Sequence, residues 1–256
     1  MLLGVDIGNT AMSFAVMRSG RVIHRTELSM GAFRSQKAAL KQILDRKRKR
    51  YPELRHSVVC SVVPQTSTAV ARAIEKAFGE KPRFVGRNLK VPIKNRYRHP
   101  QEVGQDRLLC AYAAKELYGI PALVIDFGTA ITFDAVSPDG SYEGGLIIPG
   151  IRLSAESLFQ KTALLPRLEA VKSPRQLIGK STQESILSGL FNGYGTMCNG
   201  LIDEFSRQWD APLTVVVTGG HTRLMKKYIE PKITAIDSAL VYKGMYRLHQ
   251  HTSQQK

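Results

Sequence analysis

The chain has 256 residues, of which 43% are hydrophobic and 23% charged, an ordinary soluble composition with enough length for one large domain or two small ones. No apolar run approaches the roughly 20 residues of a membrane helix, and the first residues lack the basic and long apolar regions of an export signal. The expectation is therefore a cytoplasmic protein without membrane contact, and its net charge of +16, from 37 Lys and Arg against 21 acids, implies attraction for something anionic.

In chain order, a short apolar run "MLLGV" ends in Asp6-x-Gly8. The alternating run "MSFAVM" then reads as a strand, "RSGR" as a tight turn and "RVIHRTEL" as another strand. The stretch "SQKAALKQILDRKRKR" reads as an amphipathic helix, with Leu40, Ile43 and Leu44 at helical spacing. Cations in its last turn suit the helix dipole. With no aromatic interleaving and no zinc-finger or RRM signature beside it, this run reads as a solvated helix end, and a nucleic-acid partner is not expected. Cys60 in "SVVCSVV", Cys110 in "LLCAYAA" and the distant Cys198 form no CxxC, so they read as small core residues, not as a zinc site or a disulfide framework.

Further on, "YRHPQEVGQDR" leads into a helical "RLLCAYAAKEL", which sets Asp106 and Arg107 at or near a helix N-terminus, where bound anions are favoured. The segment "ALVIDFGTAITFDAVSPDG" then restates the N-terminus. Asp6 and Asp126, Gly8 and Gly128, Ala15 and Ala135, Val16 and Val136, and Gly20 and Gly140 share one offset of 120 residues. This second copy continues into a turn and the strand "YEGGLIIP". "IGKST" imitates the tail of a Walker A loop, but Pro174 stands where the first glycine is required, and no G-x-G-x-x-G follows a strand. Thr182, the last residue of that stretch, reads as the N-cap of a helix whose "SILSGLFNGYGTMCNGLI" has small residues suited to close packing. Last, "LTVVVTGGHT" runs a β-branched strand into Thr218-Gly219-Gly220, glycines that permit close approach of a flat base or its phosphates.

The repeated turn carries the chemistry. Gly with a neighbouring Asn or Thr lets backbone N–H groups point outward unobstructed, and the hydroxyl adds a donor for phosphate oxygens. The preceding Asp repels phosphate unless a cation lies between them. Two such devices, each behind a buried strand, imply duplicated lobes with a cleft between them, expected at residues 1–118 and 119–256. Phosphoryl transfer to an alcohol needs a polyphosphate cradle, charge-offsetting cations and a carboxylate near the acceptor hydroxyl. Asp106 suits the last role.

Together, two phosphate turns and a late Gly-Gly turn resemble the actin, hexokinase and Hsp70 superfamily, an α/β class with duplicated ribonuclease H-like lobes. Within it the chain resembles the type III pantothenate kinases from Met1 to about Tyr246. "DIGNT" resembles their first phosphate motif, "DFGTA" the second and "YRHPQEVGQDR" the substrate segment, while "GGLIIPGI", "TALLP" and "IGKSTQESILSGLFNGY" follow in order. The resemblance implies ATP-dependent phosphorylation of pantothenate to 4′-phosphopantothenate, the first step of coenzyme A synthesis, by a homodimer. It implies that Asp6, Gly8, Asn9 and Thr10 serve the ATP phosphates, with Asp6 at Mg²⁺ directly or through water. It further implies a monovalent cation, K⁺ or NH₄⁺, at Asp126, and Thr129 on the ATP phosphates. Thr218, Gly219 and Gly220 would line the adenosine side, and Asp106 would be the general base. Tyr97, Gly104, Arg107 and Thr182 would hold pantothenate, Thr182 partly across the dimer interface. Gln105 and Ser181 depart from the family pattern, which has a small residue and Asn there, and bear on the substrate side. The alternatives are a phosphotransferase of the same superfamily acting on another small hydroxylated substrate, and a non-catalytic basic accessory or nucleic-acid-binding protein of the same fold.

Overall fold

The computed structural model describes residues 1–209, 211–229 and 232–254. The chain forms two compact units. One comprises Met1–Ile93, Arg98–Ala113 and the chain from Ala239, the other Lys94–Tyr97 and Ala114–Ser238. A linear division at residue 118 leaves the last helix with the second unit, whereas its packing assigns it to the first.

The first unit opens with β1 (Leu2–Ile7), β2 (Ala11–Arg18) and β3 (Arg21–Ser29) as an antiparallel meander. Ser29 accepts from the Ala32 N–H at 3.1 Å and starts α1 (Met30–Ser35), which leads to α2 (Lys37–Arg50). Next come β4 (His56–Ser61), α3 (Pro64–Phe78) and β5 (Arg83–Phe84). Pro64 occupies the first turn of α3, where no N–H is needed, and Gly79 closes the helix at φ +77° by donating to the Glu75 carbonyl. The strands run in the order β3-β2-β1-β4-β5, with β1 parallel to β4. β1 is central and apolar at nearly every position because both sheet faces are covered. Phe14, Val70 and Ile74 fill one side, and burying each such side chain contributes about 1.5–3 kcal/mol.

Helix α4 (Gln105–Tyr118) precedes the second sheet: β6 (Ala122–Phe127), β7 (Ala130–Val136), β8 (Tyr142–Pro149), α5 (Ile151–Lys161), α6 (Thr182–Trp209), β9 (Thr214–Thr218), α7 (Thr222–Ile229) and β10 (Ala235–Ile236). Its order, β8-β7-β6-β9-β10, matches the first sheet strand for strand. The final helix, α8 (Leu240–Gln254), lies against β1 and β4 of the first unit. Gly4 allows this approach, since a Cβ there would press on Met17, Tyr242 and Met245.

The repeat is therefore a duplicated α/β lobe, as the sequence leads one to expect, but its register needs a correction. Asp6 pairs with Ser13, whereas Asp126 pairs with Thr132, so the second turn is one residue shorter. The strand bulges fall between Val16 and Met17 and between Ala135 and Val136. On β2 and β7 the equivalent positions are thus offset by 119, so that Ala15 corresponds to Asp134, not to Ala135, whereas on β3 and β8 the offset returns to 120, since Phe14 faces Thr26 where Phe133 faces Leu146. The extra residue is in "GNT" against "GT", which gives the first turn one more backbone N–H.

Candidate functional site

In the first unit, Asp6 stands near the end of the central strand and Gly8 turns the chain, its N–H donating to the Ala11 carbonyl at 3.0 Å. Asn9 and Thr10 are presented at the tip, and the Thr10 carbonyl accepts from the Met30 N–H at 2.9 Å. Asp106 lies in the first turn of α4, where its Oδ1 accepts from the Arg107 N–H at 2.9 Å. Gly104 leaves room for that carboxylate, because a Cβ would strike Asp106 Oδ1.

Two carboxylates and little solvent define the electrostatics. Burial pushes Asp6 up to about 7, the Asp106 charge pushes the same way, and Arg25 opposes. Burial also raises Asp106, offset by the Arg107 N–H and then by its guanidinium. The Cys60 thiol, paired in register with Asp6 on β4, is held far up by burial and by both carboxylates, which leaves it inert. Arg25 Nε donates to Ser13 Oγ at 2.8 Å, and its guanidinium lies 5.6 Å from the Tyr242 ring centroid. Arg25 was not singled out in the sequence. Its strand alternates regularly, and only the register onto β2 turns this exposed cation toward Ser13.

The second unit repeats the device. Asp126 near the end of β6 pairs in register with Thr132 and Thr218, and the Gly128 N–H donates to the Ala130 carbonyl at 3.1 Å. Gly219 adopts φ +98°, and a Cβ there would collide with the Asp126 carboxylate and the Phe127 backbone. The Thr218-Gly219-Gly220 turn is thus packed onto the Asp126–Gly128 turn. Thr222 Oγ1 donates to the Thr218 carbonyl at 2.5 Å and fixes the start of α7. Gly220 has open space where a side chain would stand.

Two further residues of this loop cluster escaped sequence reasoning. The Gly150 N–H donates to the Thr129 carbonyl at 3.0 Å, and a Cβ at Gly150 would overlap the Gly128 and Thr129 carbonyls. The His221 N–H donates to the Phe127 carbonyl at 3.0 Å; burial and then Arg152 lower the His221 ring, against the Gly128 and Phe127 carbonyls. The glycine in "IIPGI" and the His after "TGG" were visible in the sequence, but only the fold brings them to one turn.

The structure therefore gathers Asp6, Gly8, Asn9, Thr10, Gly104, Asp106 and Arg107 in the first unit, and Asp126, Thr129, Thr218, Gly219 and Gly220 in the second. Tyr97 belongs to the second unit, its ring against Gly144 and 6.5 Å from that of Tyr142. Thr182 opens α6, but it is not the cap. Ser181 Oγ accepts from the Glu184 N–H at 3.3 Å, and Glu184 accepts from the Lys180 N–H at 2.7 Å, so Thr182 is the first helical residue. Ser181 thus supplies the cap that Asn would also supply. Gln105, the other departure, lays its amide against Gly86, which is held at φ +81°. Among the described residues no group of three or more His, Cys, Asp and Glu could cage a metal alone. A cation held here needs ligand oxygens from a phosphate or water as well, as Mg²⁺ does in kinase sites.

Comparison with known proteins agrees with this geometry. The family model for type III pantothenate kinase matches residues 2–204. A type III pantothenate kinase from Persephonella marina is 37% identical over 98% of this chain and 99% of its own length. One from Halalkalibacterium halodurans is 33% identical over 97% and 98%. Among solved structures, a ROK family glucokinase from Streptomyces griseus in complex with glucose and AMPPNP superposes with TM-score 0.55 at 12% identity over 96% of this chain and 98% of that one, a likeness of fold. Two duplicated α/β lobes with matched Asp-x-Gly turns, a family model over residues 2–204 and relatives aligned from end to end make this chain a member of the type III pantothenate kinase family.

Proposed function

We propose that the protein transfers the γ-phosphoryl group of ATP to the primary hydroxyl of pantothenate, giving 4′-phosphopantothenate for coenzyme A synthesis in the cytoplasm. The observation that carries this reading is the buried carboxylate pair. Asp106 is poised at a helix N-terminus with its basicity raised by burial, next to Arg107, whose cation complements the substrate carboxylate. In that role Asp106 Oδ accepts the hydroxyl proton as the oxygen attacks phosphorus, and the bond to the leaving diphosphate oxygen breaks in line.

Asp6 fits a divalent cation. A carboxylate at about 7 beside a second carboxylate is short of positive charge, and Mg²⁺ bound with the nucleotide supplies that charge and offsets the polyphosphate. Gly8 and Gly128 close their turns on the Ala11 and Ala130 carbonyls, and the turn tips so formed, Asn9 and Thr10 in the first unit and Thr129 in the second, are assigned to the ATP phosphates together with the two glycines. Asp126 is assigned to K⁺ or NH₄⁺, and Thr218, Gly219 and Gly220 to the adenosine side. Tyr97, Gly104, Arg107 and Thr182 are assigned to pantothenate.

Homodimer formation is supported by an apolar groove of about 670 Å³ between α5 and α6, lined by Leu153, Leu158, Gly189, Leu190, Gly193 and Met197. Small residues at Gly189 and Gly193 leave open space for another helix. Among the described residues no helix is long and apolar enough to cross a membrane.

The test is coupled ADP release with ATP and Mg²⁺, with and without pantothenate, in K⁺ and then Na⁺ buffer. Pantothenate-dependent turnover that rises with K⁺ is expected. ADP release indifferent to pantothenate would assign the site another acceptor.

A further inference from the structure

The positive charge is not spread over the molecule. Twenty-three of the 37 Lys and Arg but only eight of the 21 acids belong to the first unit, while the second is close to neutral. Within the first unit the cations concentrate at the end of α2, as Arg46, Lys47, Arg48, Lys49 and Arg50. The helix dipole there is equivalent to about half a negative charge and cannot balance five cations.

The two nearest acids in sequence are engaged elsewhere. Asp45 pairs with Lys41 at 2.5 Å and Glu53 with Arg18 at 3.4 Å. Among the described residues Arg46, Arg48 and Lys49 have no acidic partner, and all three are exposed. Arg50 is exposed too and lies 5.5 Å from the Tyr51 ring centroid.

This end of α2 is also pinned in place, unlike a frayed, solvated one. Leu40, Leu44 and Lys47 form its buried stripe. Lys47 is 2% exposed, and its Nζ lies 3.0 Å from His24 Nδ1 and 3.2 Å from Thr26 Oγ1 on β3. The Tyr51 N–H closes the helix on the Lys47 carbonyl at 2.8 Å. Burial and Arg50 push Lys47 down to about 8, the response of a buried amine in an uncompensated positive field. Arg46, Lys49 and Arg50, three and four residues apart, share one side of the helix.

We infer that the α2 end of the first unit is a docking surface for the phosphate backbone of a nucleic-acid duplex, bound without regard to sequence. Charge complementarity supplies the attraction, as it does for non-specific binding generally. Single strands fit less well, because they stack bases on aromatic rings and Tyr51, the ring at this helix end, lies against His24 and Arg50. A lipid surface fits less well, because interfacial binders insert apolar side chains, and Ile23 is the large hydrophobic that the described part of this unit exposes.

The test is fluorescence anisotropy of labelled 20-base-pair RNA and DNA duplexes, titrated with the full chain between 50 and 200 mM KCl. If four phosphates are contacted, the log–log salt slope is about −3.6, a loss of about 150-fold in affinity across that range. The R46Q/R48Q/K49Q/R50Q variant is expected to flatten the slope by about one per cation removed while keeping ADP-forming activity. R46K/R48K/R50K, which preserves charge, is expected to bind like the parent and guards against a folding artefact. K172Q/R175Q/R223Q/K227Q, an equal charge change in the second unit, is expected to leave binding intact. Tighter binding of the RNA duplex than of DNA would name RNA as the source of the phosphates, and the reverse DNA. The inference is overturned if the α2 variant binds both duplexes like the parent, if the second-unit variant loses as much, or if only anionic phosphatidylserine vesicles are bound.

Discussion

Replacing Asp6 by Asn is the most informative perturbation, because it should abolish activity while stabilising the fold. Asp6 titrates at about 7 when folded, against a reference value of 3.8. An acid raised in this way makes the folded state hold more protons than the unfolded one. Its favourable contribution is complete below about pH 4 and is lost as pH rises through about 7. Asn mimics the protonated acid and does not titrate. By linkage the variant should gain more stability at pH 8 than at pH 5, by about 2–3 kcal/mol. At this chain length each kcal/mol moves Tm by about 2–4 °C, so the gain in Tm at pH 8 should exceed that at pH 5 by about 5–10 °C. The assay is thermal unfolding in EDTA without nucleotide at both pH values. Calorimetric titration with Mg-ATP at pH 7, in buffers of different ionisation enthalpy, should add release of about half a proton by the parent and none by the variant. Equal Tm gains at pH 5 and pH 8 would refute the buried, cation-seeking carboxylate.

Asp106→Asn should lower kcat by about two to four orders of magnitude with little change in the KM for ATP, since it removes a base and not a nucleotide ligand; steady-state kinetics checks this, and near-parental turnover would exclude Asp106 as the base. Asp126→Ala should lose stimulation by K⁺ along with ATP affinity, read from initial rates in K⁺ and Na⁺; if stimulation survives, the ion sits elsewhere. Gly219→Ala forces a side chain into a left-handed φ of +98° and against Asp126 and Phe127, so it should cost about 1–3 kcal/mol in stability and raise the KM for ATP; an unchanged KM would show that this turn does not shape the nucleotide site.

Much of the fold was legible because its signals are local. The apolar runs "MLLGV" and "ALVI", the alternation of "MSFAVM" and the β-branched "TVVVT" report burial residue by residue. Asp6, Asp126 and the glycine turns could be read because a tight turn at a strand end is built from adjacent residues. Other features depend on which segments meet. The true repeat offset changes after Gly8, because pairing register is set across strands and a one-residue turn difference is invisible to a match of letters. The sequence reads Thr182 as the helix cap, and only the Glu184 N–H bonded to Ser181 Oγ moves that role to Ser181.

By itself, then, the sequence determined the lobe type, its duplication and the two aspartate turns, since each is encoded within a short stretch whose backbone and hydropathy constraints are local. Only the tertiary structure decided that Asp6 and Asp106, a hundred residues apart, share one buried field that lifts Asp6 to about 7. It likewise decided that Gly150 and His221 brace the turn from Phe127 to Thr129, and that α8 closes on β1 of the first unit. Desolvation and Coulomb interactions act through space, so their strength is fixed by distance and burial, quantities that exist only once the chain is packed.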